Sequence, residues 1–151
     1  MVDFVTNYIK AVPTKFRQSQ ALVSAYQECY HDLLNKGFWA ELVKLDNKVS
    51  KELISAITSD GLNHQLASPG DHCQNPEECC IQDFKVHFIS VRRCTNKDFP
   101  ANCWELLIPQ AEHTLNMLQL SKIKLAISAH TMPHRHHNYS ANPIGPVGCH
   151  V

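Results

Sequence analysis

Between residues 19 and 67, amphipathic helical stretches alternate with short apolar runs, and each helical stretch is closed by a glycine; this order limits the fold more than any other feature of the chain. From Ser19 the apolar positions Leu22, Tyr26, Cys29 and Leu33 step by four, three and four, with Ala21, Ala25 and Tyr30 alongside. The spacing predicts a helix with one buried face, stopped at Gly37. Phe38 to Leu45 then predicts a strand with Asp46 at its C-terminal end. Ser50 to Ser59 predicts a short helix with Leu53, Ile54 and Ile57 inward, closed by Gly61, and His64 to Ala67 a further strand.

The flanking sequence extends the alternation. Met1 to Val5 and Tyr8 to Val12 predict two short strands joined by the turn-prone Thr6-Asn7, with Pro13 ending the second. Pro69-Gly70 marks a loop, and Pro76 suits the first turn of a helix running to about Arg93, with Ile81, Phe84, Phe88 and Val91 as its buried stripe. Trp104, Leu107, Ile108, Ala111, Leu115 and Leu118 keep helical spacing from Ala101 to Leu118, with a kink expected at Pro109. After Ser121 the pattern degrades, and residues 121–151 read as an extended or loosely ordered segment following a domain of residues 1–120. Hairpin, helix, strand, helix, strand, helix, helix is the order of an α/β fold with a mixed sheet flanked by helices.

A chain of 151 residues with 44% apolar and 8% aromatic residues can fill one core, so one globular domain is expected. Fourteen basic residues balance fourteen acidic ones, leaving no global field to draw the chain to nucleic acid or a membrane. Any such binding must be local. No apolar stretch approaches the roughly 20 residues needed to cross a bilayer, and the N-terminus lacks an export pattern, so an intracellular protein without membrane contact is expected. Seven cysteines, an odd number in such a chain, argue against a disulfide framework and for reduced, mostly buried thiols.

Two carboxylates stand out. Asp46 follows the apolar run ending at Leu45, where a short side chain can be aimed rigidly, and Glu78 lies in the first turn of the helix opened by Pro76. Paired in this way they suit a divalent cation, whose preferred ligands are oxygen atoms. Each also has a plainer role: Asp46 before Asn47 can start a turn, and an acid in a helix's first turn is favoured by the macrodipole.

The arrangement of Leu45-Asp46-Asn47, then His72 through Asn75 to Glu78, then Ile81, Phe84-Lys85 and His87-Phe88 resembles the catalytic core of copia-type retrotransposon integrases. The resemblance continues through Asp98-Phe99-Pro100, Trp104, Leu107, Pro109-Gln110-Ala111-Glu112 and Thr114-Leu115-Asn116. A weaker echo runs through Ser128-Ala129, Tyr139, Pro143, Pro146 and Gly148. It implies an RNase H-like fold and an Asp-Asp-Glu triad holding two Mg²⁺ or Mn²⁺ ions for strand transfer into DNA, in the nucleus and in a multimer. On this reading Asp46 is the second acid and Glu78 the third, both catalytic and metal-ligating, and Lys85 approaches a DNA phosphate.

The first acid belongs on a strand preceding the hairpin that begins this sequence, so the resemblance implies a core truncated at its N-terminus and inactive as it stands. Asp3 matches a family position on the second strand, from which an acid need not reach the metals. Cys79-Cys80 stands where the family has a basic and a small residue, and Lys48 replaces an acidic position. A non-catalytic α/β module that binds nucleic acid or oligomerises is the alternative. A third reading, a zinc-binding protein, draws on His134-Arg135-His136-His137 and Cys149-His150, but there is no Cys-x-x-Cys and no paired ligand set at finger spacing. Nor is an acid placed to orient His72 beside Cys73 as a nucleophilic pair.

Overall fold

The computed structural model describes residues 1–46, 48–67, 76–134 and 136–145. Asn47, the Pro69-Gly70 loop, the motif from His72 to Asn75, Arg135, and the tail from Pro146 with Cys149 and His150 lie outside the described residues. The fold is mixed α/β: four α-helices and a two-stranded parallel sheet among the described residues. The chain divides into two compact units, Val12–Glu78 and the combination of Met1–Ala11 with Cys79–Val151.

In the Val12–Glu78 unit, α1 (Ser19–Asn35) buries Tyr26, Cys29 and Leu33, three of the four positions its spacing marks. Leu22, in its first turns, stays 36% exposed. Gly37 follows with φ +83°, the left-handed conformation that only glycine adopts without strain, and Gly61 ends α2 in the same way with φ +77°. Helix α2 (Lys51–Ser59) is capped by Ser50, whose side chain accepts a hydrogen bond from Leu53 N. Ile57 on its inner face is completely buried, in a cluster with Tyr26 and Leu62 against which Tyr30, Val43, Leu45, Leu53 and Ala56 pack.

Strands β1 (Leu42–Leu45) and β2 (Asn63–Leu66) pair in parallel with Leu42 opposite Asn63 and Leu45 opposite Leu66. The ladder is continued by Asn63 N to Glu41 O and Ala67 N to Leu45 O. Parallel strands need a crossover, and α2 supplies it. Val43 and Leu45 turn toward the core while Leu42 and Lys44 face outward, the alternation of a strand covered on one side. The strand is shorter than the run Phe38 to Leu45 because Trp39, 83% exposed, and Ala40 lie outside the ladder.

In the other unit, the expected N-terminal hairpin reduces to a single antiparallel bridge, Val2 with Ile9. Its turn is held by Asp3, whose carboxylate accepts from both the backbone N and the hydroxyl of Thr6, and by Asn7 at φ +67°. Helix α3 (Pro76–Cys94) begins at the predicted proline, yet its stripe is only half covered: Phe84, Phe88 and Val91 are half-buried and Ile81 is 52% exposed. The expected kinked helix from Ala101 is two elements, a 3-10 segment Ala101–Leu107 and α4 (Ile108–Leu118). Pro109 falls in the first turn of α4, where its missing N–H costs nothing, so it opens a helix instead of bending one.

Helix α4 buries Ile108, Ala111 and Leu115, and with them the polar Glu112 and Asn116. Those two grip the returning N-terminal arm. Asn116 exchanges hydrogen bonds with the backbone of Ile9, and Glu112 accepts from Ala11 N and pairs with Lys10 Nζ at 3.4 Å. Beyond α4, where an extended or loosely ordered segment is expected, the chain folds back on the helix as far as Thr131. Leu120 bridges Ser128, and a 3-10 turn at Ala129–Thr131 packs on α4 with Ala129 and Ser121 fully buried.

Candidate metal and nucleic-acid sites

Asp46 immediately follows β1 and is exposed, at the carboxyl end of a parallel strand. In open α/β sheets that end is where ligands collect, because loops and helix starts surround it and leave it concave. Glu78 is the third residue of α3 and is also exposed, within the turn where unpaired backbone N–H groups favour a negative side chain. Both belong to the Val12–Glu78 unit. Among the described residues, no group of three or more His, Cys, Asp and Glu side chains is gathered to hold a metal ion.

Asp3 has a structural task. Its carboxylate caps the turn through Thr6, which accounts for the acid without any metal. Lys85 lies on α3, seven residues beyond Glu78, and is exposed. That spacing amounts to two helical turns, about 10 Å along the axis.

One concave site escaped the sequence reading. Arg92, Arg93, Thr95, Asn96, Lys97, Phe99, Pro100, Ala101, Trp104 and Leu107 line a hollow of about 240 Å³ between the end of α3 and the 3-10 segment. Three cations stand around two aromatic rings, and Trp104 is held edge-on against Phe88 with centroids 6.3 Å apart. Arg92 and Arg93 also sit in the last turn of α3, where cations offset the helix's negative end. Cations near aromatic rings that solvent can reach are the combination that holds single-stranded nucleic acid, one part for phosphate and the other for bases; here Trp104 is 39% exposed and Phe99 half-buried. The signal was present as Arg92-Arg93 followed by Lys97 and Phe99, though only the fold adds Trp104.

Of the five described cysteines, only Cys29 is buried, so the expectation of mostly buried thiols does not hold there: Cys79 and Cys94 are exposed, and Cys80 and Cys103 half-buried. No described helix is long and apolar enough to cross a membrane. No protein-family model matches the chain, and no curated protein matches it.

Proposed function

We propose that the chain is a core segment related to copia-type retrotransposon integrases, with an RNase H-like architecture, that binds DNA and Mg²⁺ or Mn²⁺ through Asp46 and Glu78. The observation that carries this reading is the parallel β1-α2-β2 unit with Asp46 directly after β1 and Glu78 in the first turn of the following helix. This is the order in which the resemblance places the second and third acids of the triad. Hard cations held there would polarise a phosphate and activate an attacking hydroxyl. Asp46 and Glu78 supply two of the acids such chemistry uses, and Asp3 is committed to its turn. The residues present are therefore assigned metal and DNA binding. Nuclear action and self-association accompany this reading.

Binding of Mn²⁺ measured by electron paramagnetic resonance, with and without duplex oligonucleotide, tests the assignment. Asp46→Asn or Glu78→Gln should each weaken Mn²⁺ binding by at least about tenfold, the low end of losses seen when a metal's supporting groups are removed. Equal binding by wild type and both variants would reject the carboxylate site.

A second reading, a nucleic-acid-binding module without catalytic descent, is favoured by the basic and aromatic hollow around Arg92, Lys97 and Trp104. It predicts DNA binding that persists in chelator and is unaffected by either carboxylate variant.

A further inference from the structure

His113 meets three histidines that follow within residues 130–137 in the unit formed by Met1–Ala11 and Cys79–Val151. His113 projects from α4, His130 from the 3-10 turn, and His134 and His137 from the chain just beyond it. The ring centres of His113 and His130 are 4.9 Å apart, those of His113 and His137 5.5 Å, and those of His130 and His137 6.1 Å. His134 stacks on His130 at 4.6 Å, and Tyr139 stands against His137 at 4.8 Å.

The triangle of His113, His130 and His137 has the dimensions of a zinc site. An imidazole nitrogen bonds zinc at about 2.0–2.1 Å, which puts the ring centre about 3 Å from the metal and two rings at the tetrahedral angle about 5 Å apart. The three observed separations bracket that value. As placed, the donor atoms do not form a metal-binding set. Rotation about Cβ–Cγ, a broad torsion for histidine, turns each ring about an axis passing near its own centre. The nitrogens can therefore be brought to face inward while the centres stay where the backbone has put them.

A further feature suits the rings to this role. His137 Nε2 lies 2.9 Å from the carbonyl oxygen of Asn142. A carbonyl only accepts, so Nε2 donates, and Nδ1 is the nitrogen left to face a metal. A backbone carbonyl fixing the far nitrogen of a ligand histidine is the usual outer support of such sites.

We propose that His113, His130 and His137 form a binding site for a divalent transition-metal ion of the zinc type, tying α4 to the segment that folds back over it. Neutral imidazoles favour zinc and its neighbours over Mg²⁺, so this site is chemically separate from the one assigned to Asp46 and Glu78. It does not use the tail group Cys149-His150.

Co²⁺ titration of the full chain tests the site, because four-coordinate Co²⁺ bound to imidazole gives strong visible ligand-field bands and oxygen-bound six-coordinate Co²⁺ only weak ones. Wild type should bind one equivalent with strong bands that Zn²⁺ abolishes. His113→Gln and His137→Asn, which keep polar side chains of similar bulk, should each lower the affinity at least about tenfold. His136→Ala, Cys149→Ser with His150→Ala, and Asp46→Asn with Glu78→Gln should leave the bands intact. Circular dichroism establishes that each variant is folded, and His137, half-buried, gives a readout should the His113 variant fail to fold. Absence of strong bands in folded wild type, or their loss in the His136 or tail variant alone, would overturn the proposal.

Discussion

Asn116 pairs with the backbone of Ile9 as one strand pairs with another: its Nδ2 donates to Ile9 O and its Oδ1 accepts from Ile9 N, each at 2.8 Å. The side chain is 1% exposed, so no water can replace either bond. Asn116→Ala should destabilise the unit by about 2–4 kcal/mol, the cost of leaving a buried donor and acceptor unsatisfied. Asn116→Asp should be nearly as harmful, because it removes the donor to Ile9 O and buries a charge beside it. Urea unfolding followed by circular dichroism checks both; a loss below about 1 kcal/mol in Asn116→Ala would contradict the pairing.

Ile57 is fully enclosed by the cluster around Tyr26 and Leu62. Ile57→Ala should lose about 2–5 kcal/mol in the Val12–Glu78 unit, from lost transfer energy and the cavity left behind. Ser50→Ala at the start of the same helix removes the acceptor for Leu53 N and should lose about 1 kcal/mol. The two effects differ enough in size for thermal unfolding to rank them.

Burial holds both His87 and His113 below the ordinary imidazole value. The unfolded chain then binds more protons than the folded one once pH falls through about 6.5, so stability is full above that value and declines below it. Both rings are partly exposed, which reduces the size of the effect. His87 Nε2 also meets Thr114 Oγ1 at 2.6 Å, a bond that protonation would have to accommodate. The melting midpoint should fall between about pH 7.5 and 5, and His113→Gln should flatten part of that slope. A midpoint rising toward acid would reverse the sign argued for these rings.

Among the basic and aromatic residues of the hollow, two kinds of substitution should separate in their effects. Removing Arg92, Arg93 and Lys97 together should weaken oligonucleotide binding and reduce its salt dependence, by about 0.7 in logarithmic slope for each single-strand phosphate no longer neutralised. Trp104→Ala should cost single-stranded DNA about 1–3 kcal/mol of binding with the salt slope unchanged. Fluorescence anisotropy at several salt concentrations distinguishes these outcomes.

Local signals were legible where a residue has one conformational use. Gly37 and Gly61 mark helix ends through their left-handed backbone, and Pro76 opens α3, while Ser50, read as the first residue of α2, is its cap. Pro109 has two uses, and only the 3-10 turn preceding it decides that it starts a helix. The half-covered α3 could not be foreseen from its apolar spacing, since Ile81, Val86 and Ile89 are apolar yet at least half exposed. Glu112 and Asn116 did leave a trace: two polar residues one turn apart on the face that carries Ala111 and Leu115. Their partners are backbone groups of Ile9 and Ala11, which no side-chain pattern announces. The histidine triangle was hidden because His113 and His130 are brought together by the chain's reversal after Leu118, and the tail histidines read alone show nothing of it. At the carboxylates, sequence placed Asp46 at a strand end and Glu78 in a helix's first turn, and both positions are as read.

The bond from Asn116 to Ile9 spans 107 positions of chain. On a ribosome, that interval is an interval of time. At about 5–20 residues per second, the first eleven residues wait roughly five to twenty seconds for α4 to be made, while everything needed for the β1-α2-β2 core has already emerged. Val12–Glu78 can therefore complete its own packing during synthesis, and the N-terminal arm closes last. A chain cut ahead of Glu112 would keep its middle folded while Ile9 and Ala11 lack their partners on α4, which makes the segment before Val12 the part such a break exposes.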